Sequence, residues 1–221
     1  SLRLQAVTAK LLSWFLMGSY DRRILSSFYN GDVGPIVRRE LSEQTTERED
    51  YFVVYLKPSY RRAVTRQLAE LGIRNVEIFP NPRKDFLQSL ARCKGVISSA
   101  GHQFMSEAMV LGKPAFVIPQ RGQYEQELNA RMLERSGRGA AGSMRELKYT
   151  LPRFIAEIDR YPKPPERNAA AFSFSNERSR AVAMIEAFVE ARVEPALGEL
   201  LRRSVERVEG VHRGGDTLAV G

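Results

Sequence analysis

Two polar sets interrupt the otherwise apolar stretch from Val96 to Ala130, and their residue types and spacing suit recognition of a phosphorylated, hydroxyl-rich ligand. The first begins at Ser98, Ser99, Ala100 and Gly101 and continues through His102, Gln103 and Glu107. A glycine opening a helix admits a ligand to the backbone, where free N–H groups and the positive end of the helix dipole attract a phosphate or diphosphate. Glu107 follows Gln103 by four residues, so both project from one stripe. A carboxylate one turn beyond a phosphate site can accept hydrogen bonds from a ribose diol, and its charge strengthens them. The same spacing equally fits a solvated helix residue.

The second set is Glu125, Gln126 and Asn129, clustered at the start of the next expected helix. A carboxylate and two amides together donate and accept, which matches a ring of sugar hydroxyls. An ordinary polar helix start reads the same way. Both sets follow strands of one expected sheet, and that shared edge strengthens each.

The elements needed to position these residues are legible as alternating periodicities. Strands are expected at Tyr51–Leu56, Val76–Phe79, Gly95–Ser99, Ala115–Ile118 and Arg138–Ala141. Helices are expected between them at Arg61–Leu71, from an Asn81 cap with Pro82 at the first position to Arg92, at His102–Leu111, and at Gln123–Arg135. Gly72 and Gly112 close two of them. Such alternation implies right-handed crossovers and a doubly wound, Rossmann-like parallel α/β sheet over residues 36–158, with ligands outside the carboxyl ends of its strands.

Around this core, residues 4–17 look helical and Arg23–Phe28 look like a short strand, followed by a turn-rich linker, Tyr29 to Pro35. Residues 1–35 are thus expected to be the end of an amino-terminal domain plus linker. After Tyr161-Pro162-Lys163-Pro164-Pro165, helices are expected at Glu166–Ala191 and Pro195–Glu209, making residues 159–209 a carboxyl-terminal helical segment and 210–221 a disordered tail.

Composition sets the outer limits. The 221 residues are 43% hydrophobic, enough for one substantial core. Lys and Arg number 34 against 26 Asp and Glu, a net charge of +8 that favours an anionic partner. The single cysteine, Cys93, excludes an internal disulfide and reads as a core residue. No apolar run reaches the ~18 residues of a spanning helix; Leu11 to Met17 is read as a buried helix, with membrane-surface contact as the alternative.

Gly101-x5-Glu107, Gly112-Lys113-Pro114, Pro119 and Glu125-Gln126-x2-Asn129-Ala130 resemble the donor-binding motif of GT-B glycosyltransferases, nearest the group acting on peptidoglycan precursors and the UDP-glycosyltransferases. The specific match covers about 35 residues, and the wider pattern from Tyr51 to Ala141 resembles the carboxyl-terminal half of that fold. The resemblance implies that the backbone of Ser99, Ala100, Gly101, His102 and Gln103 meets the diphosphate of a UDP-sugar. Glu107 would hold the ribose, and Glu125, Gln126 and Asn129 would face the sugar. The loop Ile78-Phe79-Pro80 falls where family members receive the base. Ser99 stands where many members have His or Arg, and Phe104 where Ser or Thr is common.

Retaining members carry a Glu eight residues before the ribose glutamate, where this chain has Ser99, so inversion is expected. No Asp-x-Asp occurs, so no metal or other cofactor is expected. Helix N–H groups, with Arg121 as a contributor, would stabilise the leaving UDP. The general base and the acceptor site are expected in an amino-terminal domain, for which the roughly 50 residues before the first strand are too few. His102 reads as a phosphate contact or exposed residue in preference to that base.

The reading is therefore the donor-binding half of a glycosyltransferase with an unknown acceptor, a lipid-linked one among the options, cytoplasmic or at the inner membrane face. Rivals are a nucleotide-sugar hydrolase or 2-epimerase of the same fold and a non-catalytic basic module. Nucleic acid is not an expected partner, because Arg61-Arg62, Arg83-Lys84 and Arg202-Arg203 lack interleaved aromatics.

Overall fold

The computed structural model describes residues 7–8, 20–44, 46, 48–162 and 171–213. Its centre is a five-stranded, wholly parallel sheet in the order β2-β1-β3-β4-β5. The strands are β1 Phe52–Tyr55, β2 Val76–Phe79, β3 Gly95–Ser98, β4 Ala115–Val117 and β5 Gly139–Ala141. The helices are α1 Arg39–Ser42, α2 Pro58–Glu70, α3 Phe86–Arg92, α4 His102–Val110, α5 Tyr124–Arg135, α6 Leu147–Ala156 and α7 Arg178–Arg213. This is the α/β, Rossmann-like class expected.

Strand alternation explains why helices cover both faces. Val53, Val96, Ala115 and Val117 point into one apolar cluster with Leu90 of α3, Met105 and Met109 of α4, and Leu133 of α5. Phe52, Val54, Ile97 and Phe116 point the other way, onto Val64 and Leu68 of α2 and Leu151 and Phe154 of α6. Because successive strand residues face opposite sides, nearly unbroken apolar runs are what a sheet buried on both faces demands.

The chain moves from β1 to β2 on one side and then returns to place β3 on the other. The crevice above β1 and β3 is therefore the topological switch point of the sheet, where a ligand finds room between diverging connections. Tyr55 and Ser98 are paired across that crevice at the carboxyl ends of their strands.

Several local expectations are corrected. The third helix starts at Phe86, capped by Asp85, whose carboxylate accepts from the N–H groups of Leu87 at 2.8 Å and Gln88 at 3.0 Å. Asn81 caps only a tight turn, accepting from Arg83 N at 3.0 Å. A charged acceptor satisfying two orphan helix donors wins over a neutral one upstream. Arg23–Phe28 forms no strand: Ser27 N donates to Val33 O and Val33 N to Leu25 O, so the segment turns back on itself, leaving isolated bridges Ser26–Val33 and Tyr29–Phe172.

The two helices expected about Pro195 are one helix, α7, running through it. Its flanks are rich in Ala, Glu, Leu and Arg, strong helix formers that sustain the helix around one lost hydrogen bond. It starts at Arg178, later than expected, and extends through Arg213 into the segment expected to be disordered. The expected helix at residues 4–17 lies outside the described residues except Val7 and Thr8, which are helical; residues 163–170 and 214–221 also lie outside them. The chain divides into two compact units, Ser1–Arg178 and Ser179–Gly221. Among the described residues no helix is long and apolar enough to cross a membrane.

Candidate functional site

A cavity of about 910 Å³ opens at the switch point. Its walls come from the ends of β1 and β2 with the loop after β2 (Tyr55, Phe79 to Pro82), Phe86 of α3, the start of α4 (Ser99, Gly101 to Phe104, Glu107), and Arg38 and Glu125.

The α4 entrance is built for close approach. Gly101 is the N-cap, with φ −72°, a conformation open to any residue, and a Cβ placed on it would meet nothing within 4 Å. Neither backbone nor packing calls for glycine here. Gly139 is the contrast, since a Cβ there would overlap the Ala115 carbonyl oxygen. The space in front of Gly101 lies beside the first-turn N–H groups of α4, and no side chain among the described residues caps them. An anion placed there would find unpaired donors and the positive end of the helix dipole.

His102 stacks on Phe28, with ring centroids 5.5 Å apart. Its Nε2 is buried and has no hydrogen-bond partner among the described residues. Burial lowers its pKa from the ordinary imidazole value, while the charge of Glu125 opposes that shift.

Glu107 is only 1% exposed. Its carboxylate is held by Arg38 in a two-pronged pair, Nε to Oε1 at 2.8 Å and Nη2 to Oε2 at 2.7 Å. Gln103 Nε2 adds a third bond to Oε1 at 3.1 Å and reaches Ile36 O at 3.5 Å. These bonds raise the Arg38 pKa, so its charge is permanent. The guanidinium also lies 5.4 Å above the Phe86 ring, and its side chain remains 46% exposed. The spacing of Gln103 and Glu107 on one stripe is as expected. Arg38, 69 residues away in sequence, carried no local signal and was not anticipated.

The second polar set does not converge. Only Glu125 lines the cavity. Gln126 turns to its own approach loop, accepting from Gln120 N at 3.0 Å and donating to Gln123 Oε1 at 2.6 Å. Asn129 is buried and donates to the carbonyl of Ala100 at 3.0 Å. It thereby ties α5 to the loop entering α4, and Ala100 itself is buried behind the cavity. Arg121 is exposed and likewise does not line the cavity.

The wall at the ends of β1 and β2 is strongly aromatic. Phe79, at the end of β2, meets Phe86 edge-on at 5.1 Å, and the peptide to Pro80 is cis. Tyr55 and Phe104 stack at 5.4 Å with 14° between their planes. Where the first βα turn of many nucleotide-binding sheets is glycine-rich, this chain runs Tyr55-Leu56-Lys57-Pro58. That turn begins with the Tyr55 ring instead of bare backbone, so the backbone N–H groups facing the cavity are those at the β3–α4 turn. Among the described residues no group of three or more His, Cys, Asp or Glu side chains is placed to hold a metal.

The family model described as glycosyl transferase family 1 matches residues 33–159, more than half of the chain. A curated relative from Methylobacterium radiotolerans, UDP-N-acetylglucosamine--N-acetylmuramyl-(pentapeptide) pyrophosphoryl-undecaprenol N-acetylglucosamine transferase, is 26% identical over 155 residues, 70% of this chain and 40% of that protein. Among solved structures, the calicheamicin glycosyltransferase superposes with a TM-score of 0.49 at 18% identity, over 72% of this chain and 47% of the other. The glycotransferase of kitacinnamycin gives 0.45 at 17% identity, over 70% and 48%. The chain thus spans less than half the length of these relatives, and the family match falls on the part that builds the sheet and the cavity. On that match, the chain belongs to glycosyl transferase family 1.

Proposed function

We propose that this chain is the donor-binding half of a glycosyltransferase that takes a UDP-sugar, of hexosyl or N-acetylhexosaminyl type, and transfers the sugar with inversion and without a metal. The observation that carries this reading is the β3–α4 turn: an uncapped helix start behind a glycine that neither backbone nor packing requires, less than two turns from a carboxylate lining the same cavity. Diphosphate at Gly101 and His102, ribose toward Glu107 and base toward Phe79 run along one continuous wall.

Glu125 is the residue of the second set positioned to face the sugar, while Gln126 and Asn129 shape the wall from behind. The Glu-to-Ser difference at Ser99 supports inversion, and the lack of an Asp-x-Asp motif supports a metal-independent route. Departure of UDP would then rely on helix donors. The acceptor and the general base belong to parts of the full protein beyond this cavity. The named activity of the bacterial relative makes a lipid-linked acceptor the first to test.

Titration calorimetry with UDP, UDP-N-acetylglucosamine and UDP-glucose tests the donor assignment. Saturable binding of UDP and of at least one UDP-sugar, unchanged by a chelator, is the expected result. RNA binding that is tight and salt-sensitive without any UDP binding would overturn it.

A further inference from the structure

Glu107 has too few open acceptor positions for the ligand its place implies. An ionised carboxylate offers about four lone-pair sites. Arg38 Nε and Gln103 Nε2 occupy both on Oε1, and Arg38 Nη2 occupies one on Oε2. One site remains, on a carboxylate that is almost wholly buried. A vicinal diol binding through both hydroxyls needs two. The side chain able to yield is Arg38, which is nearly half exposed and lines the same cavity as Gly101 and His102.

Resting on the donor reading above, we infer that Arg38 exchanges partners when a nucleoside diphosphate binds: the ribose hydroxyls take over the Glu107 oxygens, and the guanidinium turns to the diphosphate at the start of α4. The charges make this exchange selective. A nucleoside alone would displace Arg38 and leave a cation without its anion, so the carboxylate stays locked against it. A nucleoside diphosphate brings the replacement anion, and a guanidinium fork fits phosphate oxygens as well as it fits a carboxylate. In the resting cavity the neutral His102 and the carboxylates of Glu107 and Glu125 leave Arg38 as the cation that offsets negative charge along the wall. Gln103 stays on Glu107 and on Ile36 O, so the carboxylate keeps its orientation while Arg38 leaves. Arg38 thereby makes the site discriminate between nucleoside and nucleoside diphosphate.

The test compares uridine and UDP, by calorimetry, on the unaltered chain, Arg38→Gln and Arg38→Lys. Exchange predicts opposite signs: in Arg38→Gln uridine binds several-fold tighter because the lock is gone, while UDP binds about tenfold or more weaker because its phosphate partner is gone. Arg38→Lys, which keeps the charge but not the fork, shifts both affinities in the same directions by less. It carries the test if a thermal melt shows Arg38→Gln unfolded. Loss of both affinities by one common factor would overturn the exchange, since it would mean that Arg38 only props Glu107, and so would no change in either. Failure of the unaltered chain to bind UDP at all would instead overturn the donor reading on which the exchange rests.

Discussion

The α4 and α5 starts begin alike and end differently. Each follows a strand of one parallel sheet, and each carries a Glu with an amide side chain four residues away. On α4 the carboxylate is buried, fully oriented, and paired with a cation from a distant segment. On α5 the carboxylate is exposed and lines the cavity, while its amide neighbours are spent on the protein itself. Spacing along a helix sets which residues share a stripe. What the stripe meets depends on the layer packed against it, and here segment 34–38 covers α4 but leaves Glu125 open.

The contrast can be broken most strongly at Glu107. Glu107→Ala is expected to weaken UDP binding by about 1.5–3 kcal/mol, the value of a charged hydrogen bond, as read by calorimetry. Unchanged UDP affinity would remove Glu107 from the ribose role. Folding stability falls less than for a fully buried ion pair, because the freed Arg38 can turn to water.

Asn129→Ala is the converse experiment on α5. It leaves the buried Ala100 carbonyl without its donor and costs about 1–2 kcal/mol in urea unfolding. The effect on UDP affinity should be smaller than that of Glu107→Ala. A larger one would return Asn129 to the ligand.

Gly101→Ala separates fold from function at the α4 entrance. Stability should stay within about 0.5 kcal/mol, because the added Cβ meets nothing. UDP affinity should drop, since that space lies where the diphosphate is proposed. Equal UDP affinity in the variant would argue that the anion sits elsewhere.

The smallest effect is a pH dependence linking the two helices. His102 has a folded pKa below the ordinary value near 6.5, so the unfolded chain takes up a proton more readily. Stability is therefore fully present above about pH 6.5 and declines as pH falls from there toward the folded pKa. Glu125→Gln removes the charge opposing that shift and should deepen the loss near pH 5–6, seen as a lower Tm there and no difference at pH 8. Superimposable Tm profiles at all pH values would mean the two residues do not interact.

Much of the fold was legible because its signals are local. Apolar strands of three or four residues, Gly72 and Gly112 at positive φ just past helix ends, and helices of about ten residues each follow from neighbours in sequence. The misreadings were also local: Asn81 looked like a cap because it preceded a proline, and Pro195 looked like a break. In the first, the Asp85 carboxylate reaches two helix donors; in the second, the helix continues through the proline. Helix α6, which covers one face of the sheet with Leu151 and Phe154, was not singled out although its pattern is amphipathic.

What the sequence determined by itself is the kind of site: a glycine at a strand-to-helix turn, a carboxylate six residues later, and a second polar set after the next strand, all on one parallel sheet. Periodicity and residue chemistry suffice for that, because each relation spans a few residues. Tertiary structure decided which of those side chains remain available. Arg38 reaches Glu107 across 69 residues, Asn129 reaches Ala100 across 29, and Tyr55 meets Phe104 only because β1 and β3 are neighbours. Such pairings depend on strand order and on how a distant segment crosses the sheet edge, and no periodicity along the chain encodes them.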